Sequence, residues 1–244
     1  MKSILITGAS SGIGLATAEL FLEQGWRVGA LARRAAPLQD LAARFADAVP
    51  LVADVTDPEA VSAAFDTFLD RAGRLDVMFN NAGIFTPAGT IDEIEIDDWY
   101  ASVNVNLNGM FLCARAAFAA MRAQRPQGGR IINNGSIASQ VPRPGSAPYT
   151  ATKHAVTGLT RSLSLDGRAF DIACGQIDIG NAETPMVQAL NARKRAANPQ
   201  ADPDPTMAVQ DAANSVLHMA KLPLNANVQF MTVMATQMPF IGRG

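Results

Sequence analysis

Apolar positions fall along this chain in two alternating textures. Short unbroken runs, Ser3–Thr7, Arg27–Leu31, Val49–Ala53, Val77–Asn80, Arg130–Asn134, Phe170–Gln176 and Asn227–Met234, read as strands. Between them lie longer windows with helical spacing, among them Ile13–Gln24, Ala36–Ala46, Asp57–Arg71 and Tyr149–Arg168. The runs are continuous rather than alternating, as expected of strands covered on both faces. Crossovers of this size join parallel strands, almost always with a right-handed sense. The predicted fold is α/β, a doubly wound parallel sheet of about seven strands with helices on both faces. One domain, residues 1–244, is expected.

Two segments depart from that rhythm. Residues 183–205 are polar, Ala-rich and Pro-rich, with Met186 and Leu190 on a short helix beside Arg193, Lys194 and Arg195, and are expected to form a mobile substrate flap. The window from Val103 to Met121 is apolar nearly all round, so it needs burial on more than one side. The sheet accounts for one face, and a symmetry mate in a homodimer or homotetramer is expected on the other.

Composition narrows the partners. Twenty basic residues against twenty-two acidic ones give a formal charge of −2, without the positive excess that nucleic acid or an anionic membrane surface requires. Cys113 and Cys174 are far apart, with no cysteine or histidine at metal-ligand spacing, so neither a disulfide framework nor a metal site is expected. The apolar run Ile4–Thr7 is too short for a secretory core, and no stretch reaches membrane-span length. A reduced, cytoplasmic setting is the expectation.

The first strand runs into Gly8-Ala9-Ser10-Ser11-Gly12-Ile13-Gly14 and then a helix. Free backbone N–H groups and the positive end of a helix dipole there suit a pyrophosphate, and the context favours binding over a plain connection. The second strand ends in Leu31-Ala32-Arg33-Arg34. An acidic residue at this point normally binds the adenosine ribose of NAD, whereas arginine pairs with the 2′-phosphate of NADP. With the acid absent, Arg33, and Arg34 as second choice, point to NADP(H), with NAD disfavoured.

Tyr149 and Lys153 are one helical turn apart, and Ser136 follows a strand thirteen residues before Tyr149. A free phenol has a pKa of about 10 and exchanges protons poorly at neutral pH. A neighbouring ammonium favours the phenolate and is expected to lower that value. Ser136, at a strand's carboxyl end, is placed to donate a hydrogen bond to a substrate carbonyl oxygen.

Taken together these motifs resemble the single-domain short-chain dehydrogenases/reductases. The resemblance runs from Met1 to about Thr184 and rests on Thr7–Gly14, Asp54, Asn80-Asn81-Ala82-Gly83, Asn106, Ser136, Tyr149 and Lys153. It implies a Rossmann-type sheet. It also implies that Tyr149 is the general acid in reduction, that Ser136 polarises the carbonyl, that Lys153 holds the nicotinamide ribose, and that Asn106 completes a water-linked proton relay. By the same resemblance Asp54 and Val55 flank the adenine, and Asn81, Ala82 and Gly83 support the coenzyme ribose. A helix cap at Asp54 and plain turn chemistry at Asn80 and Asn81 stay open.

The chain departs from the family after the sixth strand, where Gln176–Thr184 replaces the usual Pro-Gly turn, with Thr184 matched to the threonine that contacts the nicotinamide carboxamide. The tail, Met238–Gly244, differs too. His154 and His218 have no triad partners, and the cysteines read as small buried hydrophobes. The function implied is NADP-dependent interconversion of a carbonyl and a secondary alcohol on a small or medium-sized, partly apolar molecule such as a ketone or 3-oxoacyl compound. The competing class is a non-catalytic dinucleotide sensor or scaffold, which would have no need of Asn106, Ser136, Tyr149 and Lys153 together.

Overall fold

The computed structural model describes residues 1–200 and 202–241; the last three residues of the divergent tail lie outside them. Strands β1 (Ser3–Thr7), β2 (Arg27–Ala32), β3 (Ala48–Val52), β4 (Val77–Asn80), β5 (Gly129–Asn134), β6 (Ile172–Ile179) and β7 (Phe230–Val233) form one parallel sheet in the order β3-β2-β1-β4-β5-β6-β7. The chain winds outward from β1 to β3 and then returns to lay β4 on the other side of β1. That reversal opens a crevice beyond the carboxyl ends of β1 and β4, where doubly wound sheets bind ligands.

Helices cover both faces. On one, α1 (Gly12–Glu23), α2 (Ala35–Arg44) and α8 (Val209–Lys221) enclose a core that includes Phe21, Leu38, Leu41 and Val216. On the other, α3 (Pro58–Ala72), α5 (Met110–Ala123) and α6 (Ala147–Gly167) pack Phe65, Phe68, Cys113 and Met121 against Leu5, Met78 and Ile131. Strand side chains point alternately to the two faces, and both faces are apolar in β1, β4 and β5, which explains their unbroken runs. Local chemistry sets the helix ends. Asp57 caps α3 by accepting the N–H groups of Glu59 and Ala60, and Pro58 occupies the first turn, where a missing N–H costs nothing. Pro148 likewise lies inside the first turn of α6, which therefore starts two residues before the predicted Tyr149.

Three expectations change. The predicted sixth strand, Phe170–Gln176, is displaced: Phe170 closes a short 3₁₀ turn, Asp171 turns the chain with φ of 54°, and β6 continues to Ile179. It continues because Asp178, a polar residue that would end a buried strand, finds hydrogen-bond donors there. The predicted last strand, Asn227–Met234, shortens to Phe230–Val233 and lies at the sheet edge, with Phe230 half-exposed rather than covered. The expected flap is more ordered than its composition suggested, for α7 (Pro185–Ala197) runs through it, capped by Thr184.

Between α4 (Ile96–Val103) and α5 the helix passes through one π-helical turn, Asn104–Gly109. Such turns re-aim side chains within an otherwise regular helix. Here the turn carries Asn106 into the interior.

Candidate active site

One cleft of about 420 Å³ lies along the carboxyl edge of the sheet. Its lining brings together every residue assigned from sequence to coenzyme binding: Gly8, Ser10, Ser11, Gly12, Ile13, Gly14, Arg33, Arg34, Asp54, Val55, Asn81, Ala82, Gly83, Tyr149, Lys153 and Thr184. Ser136 lines it as well.

The glycine-rich turn is shaped for close approach. Gly12 has φ of +55°, and a Cβ there would sit 3.1 Å from Thr184 Cγ2; a Cβ at Gly14 would overlap the carbonyl oxygen of Gly8. Only glycine keeps this turn tight and its N–H groups open at the start of α1. The turn is fastened to the β4 end by Thr7, whose Oγ1 accepts the N–H groups of Asn81 and Ala82 at 2.9 Å each. Asn81 donates from Nδ2 to Thr7 O at 2.9 Å and accepts on Oδ1 from Asn134 Nδ2 at 2.9 Å. Turn chemistry therefore accounts for Asn81, and Asn80 donates to Met110 O. Asp54 does not cap α3, a role Asp57 fills, but folds back to accept the N–H and hydroxyl of Thr56.

At the end of β2 the two arginines differ. Arg34 donates to Ser10 Oγ at 3.0 Å, tying it to the glycine turn, whereas Arg33 is largely exposed and lies 3.9 Å from Asp54. These arginines and the Ser10 hydroxyl, with no acid within Leu31–Arg34, give this end of the cleft donors suited to an anionic group. The residues present therefore fit a dinucleotide.

At the other end, α6 presents Tyr149 and Lys153. Lys153 is buried, donates from Nζ to the carbonyl of Asn134 at 2.7 Å, and lies 5.5 Å from the centre of the Tyr149 ring. A continuous chain of contacts thus runs from Lys153 through Asn134 and Asn81 to Thr7, joining the two ends of the cleft. Phe85 packs on the tyrosine, ring centres 4.8 Å apart. Ser136 lines the cleft with the Tyr149 phenol and accepts the N–H of Ala138 on Oγ at 3.1 Å.

The expected depression of the Tyr149 pKa by Lys153 is not what this structure shows. Burial raises the phenol above its ordinary value; the Ser136 hydrogen bond and the Arg143 charge oppose that rise, and Asp178 adds to it. Lys153 is itself desolvated, its ammonium pushed down to about 8 with Asp178 opposing. At neutral pH the site therefore pairs a neutral phenol with an ammonium that is itself close to losing its proton.

Asn106 does not line the cleft. It lies fully buried beneath it, accepting the N–H of Ile84 at 2.8 Å and donating to Ile84 O, to Ser102 Oγ at 3.2 Å and to Thr152 Oγ1 at 3.5 Å.

Sequence reasoning passed over several residues. Asp178 accepts from Ser136 N, Ser139 Oγ, Gln140 Nε2 and Gln176 Nε2. Arg143 lines the cleft from the loop before α6 and donates to Asn181 Oδ1 at 3.1 Å. A lone arginine between Ser136 and Tyr149 was the available signal for the second; a carboxylate within an apolar run was the signal for the first. Met186, Val187 and Leu190 of α7 complete the cleft. His154 and His218 are exposed, and both buried thiols are pushed up to about 12, as inert hydrophobes.

A model of the short chain dehydrogenase family matches residues 2–195. The chain belongs to the short-chain dehydrogenase/reductase family. Within it, the chain is 36% identical over 195 residues to a 3beta-hydroxysteroid dehydrogenase of Mediterraneibacter gnavus, covering 78% of this chain and 70% of the relative. It is 30% identical to sulfoacetaldehyde reductase 2 of Chromohalobacter salexigens over 96% of this chain and 94% of that protein. A solved 3-ketoacyl-(acyl-carrier-protein) reductase from Brucella melitensis, complexed with NADH, superposes with a TM-score of 0.86 over 96% of both chains at 26% identity. The short-chain dehydrogenase/reductase expectation and the doubly wound sheet are thereby borne out.

Proposed function

We propose that this short-chain dehydrogenase/reductase interconverts a carbonyl and a secondary alcohol, with NADP(H), on a small or medium-sized, partly apolar substrate of ketone or 3-oxoacyl type. The observation that carries this reading is the meeting of Ser136, Tyr149 and Lys153 at one end of a cleft whose other end is the glycine-rich turn. The bound nicotinamide supplies or accepts the hydride.

The chain's own residues manage the proton and the oxygen. The phenol, held protonated at neutral pH by burial, gives its proton to the oxygen as charge develops there. The Ser136 hydroxyl donates to the same oxygen. Lys153, anchored on Asn134 O, holds the coenzyme ribose and offsets negative charge left on the phenol. Asn106, from below, fixes the Ile84 segment and is assigned the relay of protons toward Lys153. The Gly8–Gly14 turn and Thr184 hold the coenzyme's pyrophosphate and carboxamide, Asp54 and Val55 flank its adenine, Asn81–Gly83 support its ribose, and Arg33 with Arg34 hold the 2′-phosphate. The α7 segment closes the substrate side as a flap within one catalytic domain.

Exposed Phe111, beside Phe118, Leu163 and Phe170, supports a homodimeric or homotetrameric state, to be read by light scattering. Two free buried thiols, and the lack among the described residues of any helix long and apolar enough to cross a membrane, support action in the cytoplasm.

The reading is tested by following NADPH consumption with a panel of ketones, aldehydes and 3-oxoesters. Turnover that falls roughly a hundredfold in Ser136→Ala while NADPH still binds is the expected result. Tight NADPH binding with no turnover on any carbonyl would favour the sensor class.

A further inference from the structure

We propose that Arg143 anchors an anionic group of the substrate, a carboxylate being the probe, so that the molecule reduced at Ser136 and Tyr149 is an oxo acid rather than a neutral ketone. The inference rests on the proposed carbonyl chemistry and adds to it the class of molecule.

Arg143 sits in the loop between Ser136 and α6, half-buried in the wall of the cleft beside the catalytic end. Its position is fixed: Nη2 donates to Oδ1 of Asn181, a buried residue on the loop after β6. One donor is thus used for aiming, and the planar guanidinium keeps others for a ligand. Among the described residues it has no ion pair, and the only acid in the cleft lining is Asp54, beside Arg33 at the far end. Asp178 makes no contact with Arg143: its oxygens are engaged by Ser136, Ser139, Gln140 and Gln176, and it lies behind the lining. Lys153 is committed to Asn134 O. The wall at the catalytic end therefore carries a pre-positioned guanidinium with no carboxylate in contact among the described residues.

Its surroundings define the rest of the ligand. Phe85, Ile84 and Ile137 with Val187 and Leu190 of α7 make the remaining wall apolar. A guanidinium on a low-dielectric wall favours an anion far more than one in open water does. The chain itself places Arg143 at this end of the cleft: its carbonyl accepts the Ser146 hydroxyl at 2.7 Å, three residues before Tyr149, and both residues line the cleft. An oxo acid fits with its carbonyl at the phenol, its carboxylate on Arg143 and its carbon chain along Phe85 and α7.

The test compares matched pairs, oxo acids of increasing chain length and their primary amides, in wild type, Arg143→Gln and Arg143→Lys. Wild type is expected to prefer the acids, and Arg143→Gln to lose about tenfold to a hundredfold of kcat/KM on acids, chiefly through KM, with amides changed little; Arg143→Lys keeps part of the acid preference. A second readout uses hydroxy acids and their amides as ligands of the NADPH-loaded protein: the acid raises Tm in wild type and not in Arg143→Gln. Equal losses on acid and amide would show that Arg143 only braces the loop through Asn181, and an absent acid preference in wild type would overturn the proposal even if Arg143→Gln failed to fold. A carbonyl reductase that treats acids and amides alike refutes this inference alone, whereas no turnover on any carbonyl refutes the reading beneath it.

Discussion

The backbone N–H of Ser136 donates to Asp178 Oδ1 at 3.0 Å, so a buried carboxylate on β6 fixes the serine that shares the cleft with the Tyr149 phenol. The same oxygen accepts from Ser139 Oγ at 2.7 Å and Gln176 Nε2 at 2.7 Å, and Oδ2 accepts from Gln140 Nε2 at 3.0 Å. A carboxylate this deep survives because its lone pairs are satisfied. Asp178→Ala leaves those donors unpaired and is expected to cost roughly 2–4 kcal/mol in urea unfolding. Asp178→Asn, which keeps one acceptor oxygen, is expected to cost less. A loss under about 0.5 kcal/mol for the alanine variant would show that this network does not hold the loop.

The pH dependence follows from the two shifts. Tyr149 is raised and Lys153 is lowered to about 8, so the neutral phenol and the charged ammonium coexist below about pH 8. Carbonyl reduction uses the phenol's proton and is expected to be level at lower pH and to fall as Lys153 loses its charge through about 8. Alcohol oxidation needs the phenol to lose its proton and is expected to keep rising with pH beyond that range, since burial raises the phenol above its ordinary value. In Lys153→Arg, whose cation does not titrate here, the fall in the remaining reductive rate is expected to move to higher pH. An unmoved limb would assign it to another group.

Coenzyme choice rests on the end of β2. Arg33→Ala is expected to reduce the preference for NADPH over NADH by about tenfold, measured as the ratio of dissociation constants, with NADH affinity little changed. The double change with Arg34→Ala is expected to remove more, since Arg34 is held against Ser10. A ratio that stays constant would leave both arginines as surface charge.

Arg130 makes a stability prediction away from the site. It is buried, and its guanidinium donates to Asn227 Oδ1 and to the carbonyls of Leu222, Pro223 and Ala226, tying β5 to the approach to β7 with no carboxylate involved. Burial lowers its pKa. Arg130→Met leaves those acceptors without a donor and is expected to cost roughly 2–4 kcal/mol, while kcat/KM of the folded protein stays near wild type because the residue lies at the opposite edge of the sheet from the cleft.

Legibility along the chain followed how local each signal is. Gly8, Gly12 and Gly14 announce their turn because no other residue fits it, and Tyr149 with Lys153 stand one turn apart on any helix. Strands β1, β4 and β5 were legible as runs because both their faces are covered. Asp178 was not, because a lone carboxylate in Gln176–Ile179 looks like a strand's end until Ser136, forty-two residues earlier, is seen to donate to it. Arg143 and Asn181 meet only through the tertiary fold. The α7 helix was underestimated because its apolar residues are few and its support comes from Thr184 and the cleft. The pKa of Tyr149 was misjudged for a related reason: spacing shows that a cation is near but not how deeply both groups are buried.

The central claim, that the Tyr149 phenol exchanges the proton while hydride moves, is tested most directly by Tyr149→Phe. With NADPH and a substrate turned over by wild type, the variant is expected still to bind NADPH and to lose at least about a hundredfold in kcat. Turnover equal to wild type in Tyr149→Phe would contradict the assignment and move the proton chemistry to another group.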